Sequence, residues 1–330
     1  MLKKYSFYIL TASLLISLLT FPCQADYKKG GFYSMARMGY FKEVKEHLKK
    51  TRNREQKRLD GALMAAVSGD RPKMVRFLIK EGANPNLNVP GPTPLIIAAI
   101  MNNYFQAADS LLREDINVNV KGFRHFHKGL FINWEWTAVM AAAYKGKLEI
   151  LKLLHKKGAN LFTSGWSRFP IRLETAADIA AYSGHVEVLR YLLKNNVQLH
   201  PDTVYDVVRS GHLNVLEYLV NLNKIDLNRQ GPNEGKTLLM EACWWGRVDI
   251  VQFLLDKDVN INQRNKMGGT ALMEALKNKF KEFPRQYDIA RLLLEHGANP
   301  NIGNYAGITP LMLAQDPEMI AELKSHGAKK

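Results

Sequence analysis

Apolar positions along this chain come in short helical bursts. In one segment Val248, Val251, Leu254 and Leu255 recur at helical spacing, with Phe253 less regularly placed. The same rhythm runs through Gly146–Leu154, Gly184–Leu192 and Gly211–Leu219, each opening on a glycine and a polar residue before the apolar stripe begins. A second kind of segment precedes each burst. It is shorter and alanine-rich, as in Thr237–Ala242 and, 33 residues later, Thr270–Ala275. The spacing predicts pairs of short helices. None is long enough to cover its own apolar side, so each must lean on the next copy.

Three phrases mark the copies. Thr93-Pro94-Leu95 and Thr309-Pro310-Leu311 open units, with variants at Thr137, Thr175, Thr237 and Thr270. A threonine hydroxyl can accept from an orphan backbone N–H at a helix start, and proline is harmless at the next position because that N–H has no partner inside the helix. Glycine at the junction of the two helices can take the left-handed conformation that ends the first. A closing phrase then turns the chain back: Gly82-Ala83-Asn84-Pro85-Asn86, Gly158-Ala159-Asn160 and Gly297-Ala298-Asn299-Pro300-Asn301.

This combination resembles the ankyrin repeat family over about residues 30–328. The resemblance implies an all-α solenoid of stacked helix pairs with β-hairpin fingers between repeats, in one continuous stack of roughly nine units. The first unit, Phe32–Lys49, lacks the threonine opening but keeps Ala36, Gly39, Val44 and Leu48. The second is placed at Gly61–Asn86, and the others begin near Gly91, Trp136, Glu174, Thr203, Gly235, Gly268 and Gly307. The last is shortened and polar, as the end of an open stack must be to stay soluble. By the same resemblance, His185 and His212, each after a junction glycine, make structural hydrogen bonds between repeats.

Three stretches exceed the repeat pattern: the junctions Val118–Glu135 and Leu161–Leu173, and an insertion at Asn278–Gln286. Extra junction length extends a finger, and insertions gathered on one face often mark the binding face. The two long junctions carry Phe123, Arg124, Phe126, Phe131, Trp134, Trp166, Arg168, Phe169 and Arg172. Trp and Arg are enriched where interfaces concentrate their binding energy, so these nine are the candidate partner-binding residues; packing beneath the long loops is the alternative for each. Trp244 and Trp245 divide in the same way, one expected between repeats and the other toward the concave face.

Composition adds an address and a charge. Lys3 and Lys4 precede an uncharged apolar run from Phe7 to Phe21, then Pro22 and small residues up to Ala25. That order predicts a signal peptide over residues 1–25, cleaved after Ala25, and an exported protein, periplasmic or secreted. An uncleaved anchor and a lipid on Cys23 are the alternatives. The chain carries a formal net charge of +15, and losing Lys3 and Lys4 would leave +13. Such an excess favours a protein partner with an acidic surface or an anionic membrane, and for an exported chain nucleic acid is not expected. Lys42–Arg58 alone holds eight basic residues against three acids, either a solvated face or a contact for anionic headgroups. Of the two cysteines Cys23 lies in the signal segment, so Cys243 is left as a small apolar core residue and the mature chain has no disulfide.

The search for chemistry finds none of the usual constellations. His125 and His127 flank Phe126 without a third or fourth metal ligand, and no HExxH, phosphate loop, nucleophile elbow or CxxC occurs. The sequence predicts a monomeric scaffold, not an enzyme, with no cofactor and no metal. It would bind a macromolecule through the concave face and the extended fingers. The rival readings are a surface-associated binder of anionic membrane or polysaccharide, and an exported effector acting on host proteins.

Overall fold

The computed structural model describes residues 31–51, 55–89, 93–123, 135–166, 173–223, 225–277 and 286–329. They form nine helix pairs and three two-stranded hairpins. The chain divides into two compact units, Met1–Ile179 with Arg190–Gln198, and Ala180–Leu189 with Leu199–Lys330. Residues 1–25, read as a signal peptide from the sequence, and His125 and His127 all lie outside the described residues.

In the first unit the pairs are α1 (Phe32–Met38) with α2 (Phe41–Thr51), α3 (Gln56–Ser68) with α4 (Pro72–Lys80), α5 (Leu95–Met101) with α6 (Phe105–Arg113), and α7 (Ala138–Tyr144) with α8 (Leu148–Lys156). First helices pack on first helices, α1 on α3, α3 on α5 and α5 on α7. Second helices pack likewise, α4 on α6 and α6 on α8. The reason is in the side chains. Ala62, Ala65, Ala66, Ala98, Ala99 and Ala141–Ala143 let the first helices approach closely, and Met74, Val75, Leu78, Leu111, Leu112, Leu151 and Leu154 fill the layer behind them. Phe32, Ala36, Val44 and Leu48 are buried in the opening pair, as expected of a unit that keeps the core but drops the threonine. One boundary moves. The second repeat starts at Gln56, five residues before Gly61, because α3 opens without a side-chain cap and so carries no start signal in its sequence. Gly61 lies inside α3, where a Cβ would meet the Tyr33 ring at 2.8 Å.

A fifth pair, α9 (Ala176–Tyr182) and α10 (Val186–Lys194), gives residues to both units. The second unit continues with α11 (Thr203–Ser210) and α12 (Leu213–Asn221), α13 (Leu238–Trp244) and α14 (Val248–Leu255), α15 (Ala271–Lys277) and α16 (Gln286–Glu295), and a short closing pair α17 (Pro310–Leu313) and α18 (Pro317–Ser325). In α14 the buried positions are Ile250, Val251, Leu254 and Leu255, so Ile250 belongs to the core while Val248 and Phe253 stay half-exposed. Cys243 is a free, buried thiol whose ionisation burial pushes well up, which leaves it an inert apolar filler.

Threonine caps work as the phrases imply in four places. Met140, Asp178, Met240 and Met273 donate their backbone N–H to Thr137, Thr175, Thr237 and Thr270 at 3.3, 3.3, 3.3 and 3.4 Å. Thr93 differs. It lies in a strand and Pro94 is the N-cap, because the finger pairing continues up to the start of α5.

A ladder of asparagines ties the closing phrases together. Asn117, whose N–H donates to Asn86 Oδ1 at 2.7 Å, accepts through its own Oδ1 from Asn119 N–H; Asn119 Oδ1 then accepts from Asn160 N–H at 2.8 Å. In the second unit Asn228, Asn262 and Asn301 accept from Asn260, Asn299 and Lys329, each at 2.8 Å. Asn86, Asn119, Asn228, Asn262 and Asn301 thus each satisfy a turn amide of the following repeat, while Asn117 holds its own turn. Between the two runs Phe162, Gln198 and His200 stand where ladder asparagines would be.

Candidate functional site

Among the described residues the paired fingers all lie in the first unit. Asn88–Val89 pairs with Thr93–Pro94, Lys121–Phe123 with Glu135–Thr137, and Gly165–Trp166 with Leu173–Glu174, each antiparallel. Neighbouring fingers touch, the second strand of one against the first of the next. Gly122 shows how closely: a Cβ there would sit 2.7 Å from Pro94 Cδ. The fingers are rooted in the core. Trp136, opposite Gly122, is 5% exposed and meets Tyr144 edge-on at 5.5 Å. Glu174 is buried at the root of the third finger. Beside it Asp178 Oδ2 accepts from Thr175 N and Oγ1 at 2.8 and 2.9 Å, locking the entry to α9.

Two of the nine candidate residues fall on described backbone. Phe123 ends its strand opposite Glu135, and Trp166 pairs with Leu173. Both therefore stand where the ladders open toward the finger tips. Arg124, Phe126, Phe131, Trp134, Arg168, Phe169 and Arg172 lie outside the described residues.

At the other end of each helix pair, a recurrent latch joins one repeat to the next. Arg71 Nε donates to Arg37 O at 3.2 Å, and Arg247 Nε donates to Arg209 O at 3.0 Å. Each accepting carbonyl lies two residues before a left-handed glycine, Gly39 or Gly211, both at φ +81°. His212 occupies the same place against Tyr182 and Gly184. A Cβ on Gly184 would sit 2.6 Å from the His212 ring. Burial lowers the His212 pKa, outweighing the hydrogen bond to the Tyr182 backbone.

The second unit holds a charged strip that the sequence pattern did not reveal. Arg209 sits between Asp206, at 2.7 Å, and Glu241, at 3.4 Å. Trp245 Nε1 donates to Glu241 Oε2 at 3.1 Å. One repeat on, Glu274 is ion-paired with Lys236 at 2.7 Å and accepts from Lys277 at 3.2 Å, with the Lys236 ammonium 4.3 Å from the Trp244 ring centre. Trp244 and Trp245 are therefore half-exposed and held by charges, and neither is a core residue. The signal that could have found the strip was the repeat itself: Glu241 and Glu274 occupy the same place in consecutive copies, at buried positions where a carboxylate needs a cation. Tyr205, also buried, donates to Arg229 O at 2.6 Å, and burial pushes its pKa up to about 12. Among the described residues no group of three or more His, Cys, Asp or Glu could hold a metal ion, and no helix is long and apolar enough to cross a membrane.

Comparison with known proteins agrees with this geometry. Family models described as ankyrin repeats match residues 32–122, 201–265, 139–193 and 267–305. The ankyrin repeat protein YahD of Escherichia coli (strain K12) is 42% identical over 88 residues, 26% of this chain and 43% of that one. Human BCL-6 corepressor-like protein 1 is 31% identical over 118 residues, 36% of this chain and 6% of that one. The chain thus spans less than half of either relative. The crystal structure of the human ASB11 ankyrin repeat domain superposes with a TM-score of 0.51 at 20% identity, covering 81% of this chain and 98% of that one. That of the Bcl-3 ankyrin repeat domain gives 0.50 at 19%, covering 72% and 100%. At such identities the likeness concerns the fold alone.

Proposed function

The chain belongs to the ankyrin repeat family, whose repeats generally mediate protein–protein interaction, and from that premise we propose that it is a non-enzymatic scaffold that grips a partner protein through the first unit's fingers. The observation that carries the reading is the row of three adjoining hairpins rooted by Trp136 and Glu174. A rigid root makes a long finger an efficient binding element, because less freedom is lost when the tip is engaged. Two of these fingers continue into the segments that hold Arg124, Phe126, Phe131, Trp134, Arg168, Phe169 and Arg172. Aromatic and guanidinium groups supply large contact area together with charge-assisted hydrogen bonds, a combination suited to an acidic protein surface. The charged N-terminus followed by an apolar run supports a place of action outside the cytoplasm.

The test is capture. The chain from Asp26 to Lys330, which contains every described helix, is used as bait in an extract of its source, with Arg168→Glu/Arg172→Glu as the paired variant. The variant should keep the parent's melting temperature and lose at least about tenfold in partner affinity, since reversing two interface cations replaces attraction with repulsion. Equal recovery of the same partner by both baits removes the fingers from the site.

A further inference from the structure

We propose that the edge of the first unit opposite the fingers is a docking surface for an anionic lipid bilayer. The edge is made of the junctions between the two helices of successive pairs. At the first junction Met38, Tyr40 and Phe41 are 51%, 51% and 42% exposed. They stand around the tight turn at Gly39, with the Phe41 ring leaning on Phe77 at 4.7 Å between ring centres. Arg37 and Lys42 flank them in sequence, and Arg71 lies against the turn, its Cδ 3.0 Å from where a Gly39 Cβ would be. The next junctions add Lys73, then Tyr104 and Phe105, then Lys145 and Lys147, the last with its ammonium 4.1 Å from the Phe105 ring centre.

The charge on this edge is one-sided. Among the described residues Arg37, Lys42 and Lys73 form no ion pair. Of the acids at these junctions, Asp70 is engaged in accepting from Ala107 N–H at 2.7 Å, and Glu149 is paired with Lys152 at 2.8 Å; Glu43 remains exposed. The second unit's strip is different, since its arginine and lysines each face a carboxylate. The edge is not the stretch Lys42–Arg58, for which a solvated face and a contact for anionic headgroups are the two readings. Of that stretch Lys42–Thr51 runs down α2, roughly 14 Å at 1.5 Å per residue, while Arg58 belongs to α3 and is occupied over the Phe32 ring at 4.9 Å. What the fold gathers is a different set, one or two residues from each repeat.

A bilayer is the occupant that fits. Aromatic and methionine side chains that project outward, ringed by cations, suit the headgroup boundary: the rings enter the interface while the amines meet lipid phosphates. An acidic protein would match the charge but leave Met38, Tyr40 and Phe41 without a pocket to fill. Wherever the uncharged run Phe7–Phe21 is retained, it precedes α1 by only about ten residues, a reach of at most about 35 Å, and α1 adds about 10 Å more before the edge.

The experiment is co-sedimentation of the Asp26–Lys330 chain with phosphatidylserine-rich vesicles, with pure phosphatidylcholine vesicles as the neutral arm. The parent should bind the anionic vesicles and not the neutral ones, and raised salt should weaken binding. Arg37→Glu/Lys73→Glu, at exposed sites, should keep the melting temperature and lower the partition coefficient at least about tenfold. Met38→Ser/Tyr40→Ser should lower it several-fold while keeping every charge. No binding by the parent, or equal binding by Arg37→Glu/Lys73→Glu, overturns the proposal. So does displacement by soluble polyglutamate with no effect of Met38→Ser/Tyr40→Ser, which would show the edge reading acidic polymers by charge alone. The finger variant Arg168→Glu/Arg172→Glu should sediment like the parent, which separates this surface from the protein-binding one.

Discussion

Single residues set the joints of this protein. His212 is held neutral against Tyr182 and Gly184, with burial lowering its pKa. The unfolded chain therefore takes up its proton at a higher pH than the folded one. The contribution is intact above the ordinary histidine value of about 6.5 and is lost as pH falls from there through the lowered native value. Replacing His212 by Gln, which can still donate to the carbonyl, should flatten the fall in melting temperature between about pH 6.5 and pH 5. Thermal unfolding of both proteins across that range is the check, and parallel curves would place the acid sensitivity elsewhere. Arg71 and Arg247 solve the same geometric problem with a permanent charge, so their latches should hold at acid pH. The sequence announced the position, a polar side chain after glycine. It could not announce the acceptor, because the carbonyl belongs to the preceding repeat and is brought there only by stacking.

At the scale of the element, stability comes from helices that cover one another. Leu239 in α13 is 2% exposed, with α11 on one side and α15 on the other. Leu239→Ala should cost roughly 2–5 kcal/mol, the usual range for a buried leucine whose surroundings cannot close around the gap. Denaturant unfolding measures it, and a loss below about half a kcal/mol would contradict the assigned core face. Helix pairs were legible from the sequence because their apolar spacing and threonine caps are local signals. The start of α3 was not, since Glu55 makes no side-chain cap, and neither was the placing of Trp244 and Trp245. Large aromatics ordinarily signal a core. Here Lys236 and Glu241 hold the two rings at the surface, and those partners come from the preceding turn and from the same helix face.

For the whole molecule the dominant number is charge, +15 over 330 residues. An excess of this size acts over distances set by the Debye length, so it governs encounter more than residence. Once a protein partner has been captured, its association rate should fall at least about tenfold between roughly 50 mM and 500 mM salt while dissociation changes little. Surface plasmon resonance separates the two rates, and a flat association rate would leave the charge as a matter of solubility alone. Two of the three fingers were legible as long junctions, while the short first finger and the register of all three roots were not, because strand pairing depends on where the stacked helices bring the chain. The second unit's strip was not, because ion pairs between repeats depend on the rise from one copy to the next.

The asparagine ladder has a further consequence. Asn228, Asn262 and Asn301 each offer the same acceptor to the copy that follows. Cutting out the copy between two such rungs would bring together ends that already fit, with every turn amide still engaged. Chains of this design can lengthen or shorten by whole copies, and the seam would be chemically indistinguishable from any other rung.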